Sequence, residues 1–70
     1  MDTKYEVIIY WSEVDQLYIA EVPELAECMA DGATYSEALD NVQTVIKEWI
    51  EIALELGRTI PVAKGKLMYA

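Results

Sequence analysis

The 70 residues of this chain make one small domain with a marginal core, since a chain of this length buries only about 60% of the surface that its unfolded form exposes. Five Lys and Arg residues against thirteen Asp and Glu residues give a net charge of −8, which disfavours direct binding to nucleic-acid phosphates and favours a basic protein partner. One cysteine and no histidine exclude an intramolecular disulfide, a cysteine–histidine zinc site and catalysis that depends on an imidazole.

The first residues and the single Cys28 predict a cytoplasmic protein. Met1 to Lys4 lack the basic and then apolar pattern of a secretory signal, and no apolar run approaches the roughly 20 residues that a bilayer requires. An unpaired thiol fits a reducing compartment. We therefore expect no contact with a membrane.

Two strands are predicted at the start of the chain. Alternating β-branched and aromatic residues over 4–11 predict the first, and residues 17–22 the second, joined by a turn over 12–16. Ile8 and Tyr10 add more apolar area than the solvated face of the first strand needs, which indicates cover by another chain. The opposite, strongly apolar face carries Tyr5, Val7, Ile9 and Trp11.

A short third strand and a long helix are predicted next. Pro23 ends the second strand, residues 27–30 form the third, and Asp31-Gly32 makes a turn in which glycine tolerates positive φ. Thr34 and Glu37 form a capping box that starts the helix at about Tyr35. Gly57 suits the left-handed residue that ends it. Its apolar stripe comprises Ala38, Leu39, Val42, Val45, Ile46, Trp49, Ile50, Ala53 and Leu54.

Residues 62–69 predict a short edge strand after Pro61. The element order is therefore β-β-β-α-β. We expect a single α+β domain over residues 1–70, with two layers and one long helix on one face of a mostly antiparallel sheet.

No catalytic, metal or cofactor site is predicted. Cys28 is expected to be a small buried residue of a strand, and the glycines match no phosphate-binding spacing. Trp11 and Trp49 lie on apolar faces and are expected in the core. The acids that could in principle hold a magnesium ion follow no motif: Asp15, Glu21, Glu24, Glu27 and Asp31.

The segment from Pro23 to Leu39 is similar to a known family. Its residues follow the spacing P-x-L-x-x-C-x-x-x-G-x-T-x-x-E-A-L. Together with Asp15, Asn41 and Trp49, this spacing resembles the HicB-type antitoxins and their solitary relatives over about residues 4–61.

The resemblance implies a partly degraded ribonuclease H-like domain that assembles as a homodimer or tetramer. It also implies a partner, the small basic toxin HicA, an RNA-cleaving protein with a double-stranded-RNA-binding-like fold. Neutralisation would occur by occlusion, without catalysis by this chain. The acidic charge agrees, because a negative protein is steered onto a surface that attracts phosphate.

The sequence departs from the family pattern in two places. Ala26-Glu27 replaces the usual Pro-Gly before the cysteine, so we expect a looser turn there. Long family members carry a DNA-binding module of the helix-turn-helix or ribbon-helix-helix type after this domain. We expect no such module and no promoter binding from these 70 residues.

We therefore predict a non-enzymatic, antitoxin-like protein that binds a HicA-type toxin. Two alternatives remain open: a vestigial ribonuclease H-like, metal-dependent nuclease, and a small structural or ligand-binding oligomer. Structural roles are expected for Pro23, Cys28, Gly32, Thr34 and Glu37. The predicted partner-binding residues, expected around one end of the sheet, are Asp15, Glu21, Glu24, Glu27 and Asp31.

Overall fold

Three strands and one helix form two layers in the computed structural model, which describes residues 4–63. Strands β1 (Ile8–Ser12), β2 (Leu17–Glu21) and β3 (Met29–Gly32) make an antiparallel sheet in the order β1-β2-β3. Helix α1 (Tyr35–Glu55) packs on one face of this sheet. The α+β class and the order of three antiparallel strands before one long helix are confirmed.

Strand β1 begins at Ile8 rather than at residue 4. The register pairs Ile8 with Glu21, the last residue of β2, so residues 4–7 lie beyond the end of the ladder. Tyr5 is nevertheless buried, and its hydroxyl donates to the carbonyl of Pro61. The start of the chain is thus tied to the segment after the helix.

Most of the predicted last strand, 62–69, lies outside the described residues. Residues 62 and 63 belong to no strand. Within residues 4–63, no helix is long and apolar enough to cross a membrane.

The two faces of the sheet follow from the register, because directly opposite residues of antiparallel strands share a face. Ala20 pairs with Ile9 on one side and Ala30 on the other, and these three contact the core under the helix. The other face is open and carries the pairs Tyr10–Ile19 and Glu21–Met29. The helix contacts β3 most, β2 less and β1 least.

The core lies between the helix and the sheet. The predicted apolar stripe of α1 supplies Ala38, Val42 and Ile46, each with no exposed surface. Leu39 and Leu54 of that stripe are instead 37% and 67% exposed. The remaining buried residues of this cluster are Tyr5, Ala20, Val22, Leu25 and Cys28.

Both predicted ends of the helix are confirmed. The Thr34 hydroxyl accepts the backbone N–H of Glu37 at 3.1 Å, and the Glu37 carboxylate accepts that of Ala33 at 3.0 Å. At the other end Gly57 has φ 69°, and the N–H of Arg58 donates to the carbonyl of Ala53 at 2.8 Å, which closes a Schellman motif.

The prediction that Gly32 lies in a turn with positive φ is wrong. Gly32 is the last residue of β3, and its φ is not positive. A Cβ placed on it would lie 2.4 Å from the backbone N of Ala38 and 2.8 Å from the carbonyl carbon of Glu37. Backbone atoms cannot rotate away from an added methyl group as a flexible side chain can. Glycine is therefore needed at this position, where the first turn of α1 packs directly against β3.

We predict that Gly32→Ala lowers the free energy of unfolding by about 2–3 kcal/mol, because the added methyl overlaps backbone. Gly57→Ala is the matched control: it adds the same atoms with nothing within 4 Å, but at a positive φ. We expect this variant to lower the free energy of unfolding by about 1 kcal/mol. Urea unfolding measures both, and a Gly32→Ala loss no larger than that of Gly57→Ala would contradict the close approach.

Candidate partner-binding surface

The connection from Val22 to Cys28 joins β2 to β3 through two consecutive turns. The N–H of Leu25 donates to Val22 O, and the N–H of Cys28 to Leu25 O, each at 3.1 Å. The N–H of Val22 donates back to Cys28 O at 3.0 Å, closing the connection at its base. Pro23, which has no N–H to donate, occupies the second position of the first turn, where its fixed φ is favourable.

The hydrogen bond from Cys28 to Leu25 closes the second turn, so the prediction of a looser turn at Ala26-Glu27 is wrong. Glu27 adopts φ 59°, a left-handed conformation at the turn position where glycine is preferred. The indole N–H of Trp49 donates to the carbonyl of Ala26 at 2.9 Å, which fixes the peptide before Glu27. The glycine of the family pattern therefore has a conformational reason, and Glu27 takes its place under strain.

Cys28 is buried, as predicted, but it lies at the end of this connection, one residue before β3, and not in a strand. Loss of solvent raises the pKa of its thiol above the ordinary value. The neutral thiol is therefore a packed core group, and its reactivity is suppressed.

Glu21 ends β2 on the open face of the sheet, where Tyr10 orients it. The Tyr10 hydroxyl donates to the Glu21 carboxylate at 2.7 Å. This hydrogen bond is the main reason that the pKa of Tyr10 is raised, with smaller effects from lost solvent and from the charges of Glu21 and Asp15. The Tyr10 hydroxyl thus holds the Glu21 carboxylate in place on this face.

A surface cavity of about 200 Å³ lies along the connection. Ligand pockets usually enclose roughly 300–1,000 Å³, so this cavity is smaller than a typical small-molecule site. Its walls combine buried apolar residues with two carboxylates. The lining residues are Glu21, Val22, Pro23, Leu25, Ala26, Glu27, Cys28 and Met29.

The five predicted partner-binding acids do not lie around one end of the sheet. Glu21 and Glu27 line one cavity at the β2–β3 connection, and Glu24 lies between them in the chain. Asp15 belongs to the β1–β2 turn, where its carboxylate accepts the Ser12 hydroxyl at 3.0 Å. The length of β2, about 14 Å at ~3.4 Å per residue, separates this turn from Glu21.

Asp31 is also displaced from the connection. It faces Ile19 in the middle of β2, and its backbone carbonyl accepts the Asn41 side chain at 2.7 Å. The reason for the error is that β3 begins at Met29 rather than at residue 27, so Asp31 falls within the strand and not in a turn after it.

Sequence reasoning did not predict two contributors to this region. Tyr10 orients Glu21, and Met29, which is 50% exposed, adds an apolar contact beside it. The apolar residues on the second face of β1 could have indicated Tyr10. No sequence pattern indicated Met29, because its outward position depends on the register of β3 with β2.

No group of three or more His, Cys, Asp or Glu side chains within residues 4–63 is arranged to hold a metal ion.

The chain belongs to the UPF0150-like family, whose sequence model matches residues 3–61. It is 40% identical over 58 residues to UPF0150 protein Ta0767 of Thermoplasma acidophilum, covering 83% of each chain. It is 31% identical over 71 residues to UPF0150 protein ssl0259 of Synechocystis, covering 94% of this chain and 96% of the relative. No solved structure gives a significant match.

We predict that Glu27→Gly raises the free energy of unfolding by about 0.5–1 kcal/mol, because relief of the left-handed strain outweighs the greater freedom of the unfolded chain. Glu27→Ala is the matched control, since it removes the same carboxylate but keeps the Cβ. Chemical denaturation of both variants isolates the backbone effect. Equal stability of the two would show that φ at residue 27 is not strained.

We also predict that Cys28 reacts with a disulfide reagent at least about 100-fold more slowly in the folded protein than in denaturant, because the buried thiol is inaccessible. The folded-state rate should keep rising with pH beyond the range in which a free thiol levels off, because the pKa is raised. The stability that comes from the buried neutral thiol is complete below the ordinary thiol pKa and is lost as pH rises through the raised value. Rapid native labelling at neutral pH would contradict this burial.

Proposed function

We propose that this member of the UPF0150-like family is an antitoxin-like protein that binds a small basic RNA-cleaving toxin of the HicA type. It neutralises the toxin by occlusion and catalyses no reaction itself. It works in the cytoplasm as a homodimer or tetramer, without a cofactor.

The resemblance to HicB-type antitoxins is the first support. The spacing from Pro23 to Leu39 carries it, and the family match over residues 3–61 covers the same region. The left-handed φ of Glu27 adds to it, because that position suits the glycine of the HicB-type pattern.

Charge is the second support. A surface that binds RNA phosphates is basic, and a chain with a net charge of −8 is attracted to it. Such steering raises association rates roughly 10- to 1,000-fold and weakens as salt is added. An occluding inhibitor gains from fast association, since it must reach the toxin before the RNA does.

The grouping of Glu21, Glu24 and Glu27 at the β2–β3 connection is the observation that carries the proposal. Glu21 and Glu27 line the cavity together with apolar residues, among them the exposed Met29, and Glu24 lies between them in the chain. Protein interfaces combine such an apolar centre with a polar rim. We name this region the connection surface, and on it a basic side chain of the toxin is matched in both shape and charge.

The open face of the sheet supports the proposed self-association. Ile8 and Tyr10 are 38% and 42% exposed on this face, and Tyr10 lies opposite Ile19 of β2. A second copy that covers these apolar side chains would stabilise a domain whose own core is small.

We predict that a variant with Glu21→Gln, Glu24→Gln and Glu27→Gln binds a HicA-type toxin at least about tenfold more weakly, mainly through a slower association rate. Glutamine keeps the size of each side chain and still accepts the Tyr10 hydroxyl. Stopped-flow association at low and at physiological salt measures the rate, and protection of RNA from the toxin measures the inhibition.

The matched control replaces three exposed glutamates of α1, Glu48, Glu51 and Glu55, with glutamine, which changes the net charge equally on the outer helix face. We expect less than about a twofold change from it, because distant charges are screened. Equal weakening of toxin binding by both variants would show that net charge alone, and not the position of the glutamates, causes the effect. Failure of the wild-type chain to form any complex at micromolar concentrations would overturn the proposed function.

A further inference from the structure

Three aromatic rings contact one another at the end of the sheet that is far from the connection surface. The Trp11 ring packs edge-on against Tyr18, with centroids 5.1 Å apart, and the Tyr18 ring packs against Tyr35, with centroids 4.3 Å apart. These rings come from β1, β2 and the first residue of α1. We call them the aromatic cluster.

The aromatic cluster is exposed, contrary to the prediction that Trp11 lies in the core. Trp11 is 45% and Tyr35 is 58% exposed, and Leu39, one turn beyond Tyr35, is 37% exposed. The cause is the position of the helix, which contacts β3 most and β1 least and so leaves the corner of the sheet at Trp11 uncovered. Large exposed aromatic groups are typical of interface centres.

The charge beside the aromatic cluster is negative. The indole N–H of Trp11 donates to the carboxylate of Glu13 at 2.8 Å, which places a fixed negative charge at the edge of the ring.

The cations within residues 4–63 lie elsewhere. Lys47 is about 18 Å along the helix from Tyr35 at ~1.5 Å per residue. Arg58 follows the far end of that helix, and Lys4 precedes the far end of β1. No described cation therefore occupies the ring faces of the aromatic cluster.

We infer that the aromatic cluster, together with Glu13, is a docking surface for an arginine side chain of a basic partner protein. A guanidinium stacks on an aromatic face and forms paired hydrogen bonds with a carboxylate, and this surface offers both. A lysine ammonium lacks the planar stacking, and an apolar side chain forms no hydrogen bond with the Glu13 carboxylate. Arginine is the residue whose chemistry matches the whole surface.

A second copy of this chain is a poorer match. In a pair of copies that meets at the aromatic cluster, each copy would bring its Glu13 carboxylate, held beside Trp11, towards the ring faces of the other. A like-charge approach of this kind opposes association.

This surface goes beyond the proposed toxin binding at the connection surface, since β2 separates the two. Its test uses peptides and no toxin, so either proposal can fail without the other.

The experiment titrates the full chain with a short fluorescent arginine–glycine peptide and with the same peptide carrying lysine in place of arginine. Fluorescence anisotropy gives both affinities at one salt concentration. We expect the arginine peptide to bind about fivefold more tightly, as stacking on an aromatic ring predicts. Trp11→Leu should remove this preference and leave lysine-peptide binding unchanged, and Tyr35→Leu tests the same point in a chain that keeps Trp11.

Two controls complete the design. Glu13→Gln should weaken binding of the arginine peptide, whereas Glu48→Gln on the outer face of the helix should change neither affinity. Equal affinity of the wild-type chain for the two peptides would overturn the inference, as would an arginine preference that survives in both leucine variants. Dissociation of an oligomer by Trp11→Leu, seen by sedimentation, would also overturn it, because a second copy would then be the occupant.

Discussion

The structure depends on the contact between the first turn of α1 and the last residue of β3. Gly32 allows the backbone of Glu37 and Ala38 to approach to a distance that no side chain permits. Two hydrogen bonds strengthen this junction, from the Ala33 N–H to the Glu37 carboxylate and from Asn41 to the carbonyl of Asp31. Because a helix is stiff, fixing its start and direction here determines what its remaining residues contact.

The same junction positions both candidate surfaces. Because the helix starts against β3, Trp49 lies beside the β2–β3 connection. Its indole N–H donates to the carbonyl of Ala26, in the turn that contains Glu27. The helix also leaves the β1 corner uncovered, so Trp11 remains exposed beside Tyr18. Placement of one helix therefore shapes the turn beside the cavity lined by Glu21 and Glu27 at one end of the sheet, and leaves the aromatic cluster exposed at the other.

Local features were predictable from the sequence. Thr34 and Glu37 act within four residues of one another, and Gly57 acts within one turn, so their spacing was sufficient. Features that depend on register or on the helix position were not predictable. The burial of Gly32 under a helix and the exposure of Trp11 both arise from contacts between distant residues. The separation of Asp15 from Glu21 differs, because it already follows from the predicted strand between them. The strain at Glu27 was signalled only by its departure from the family pattern.

The central functional claim is that a basic toxin is covered by the connection surface. Backbone amide NMR of the full, isotope-labelled chain, recorded alone and saturated with a HicA-type toxin, tests this claim residue by residue. We expect the largest shift changes over residues 21–29, including the amides of Glu24 and Glu27. Unchanged amides over that segment in a formed complex, with changes confined to the outer face of the helix, would contradict it.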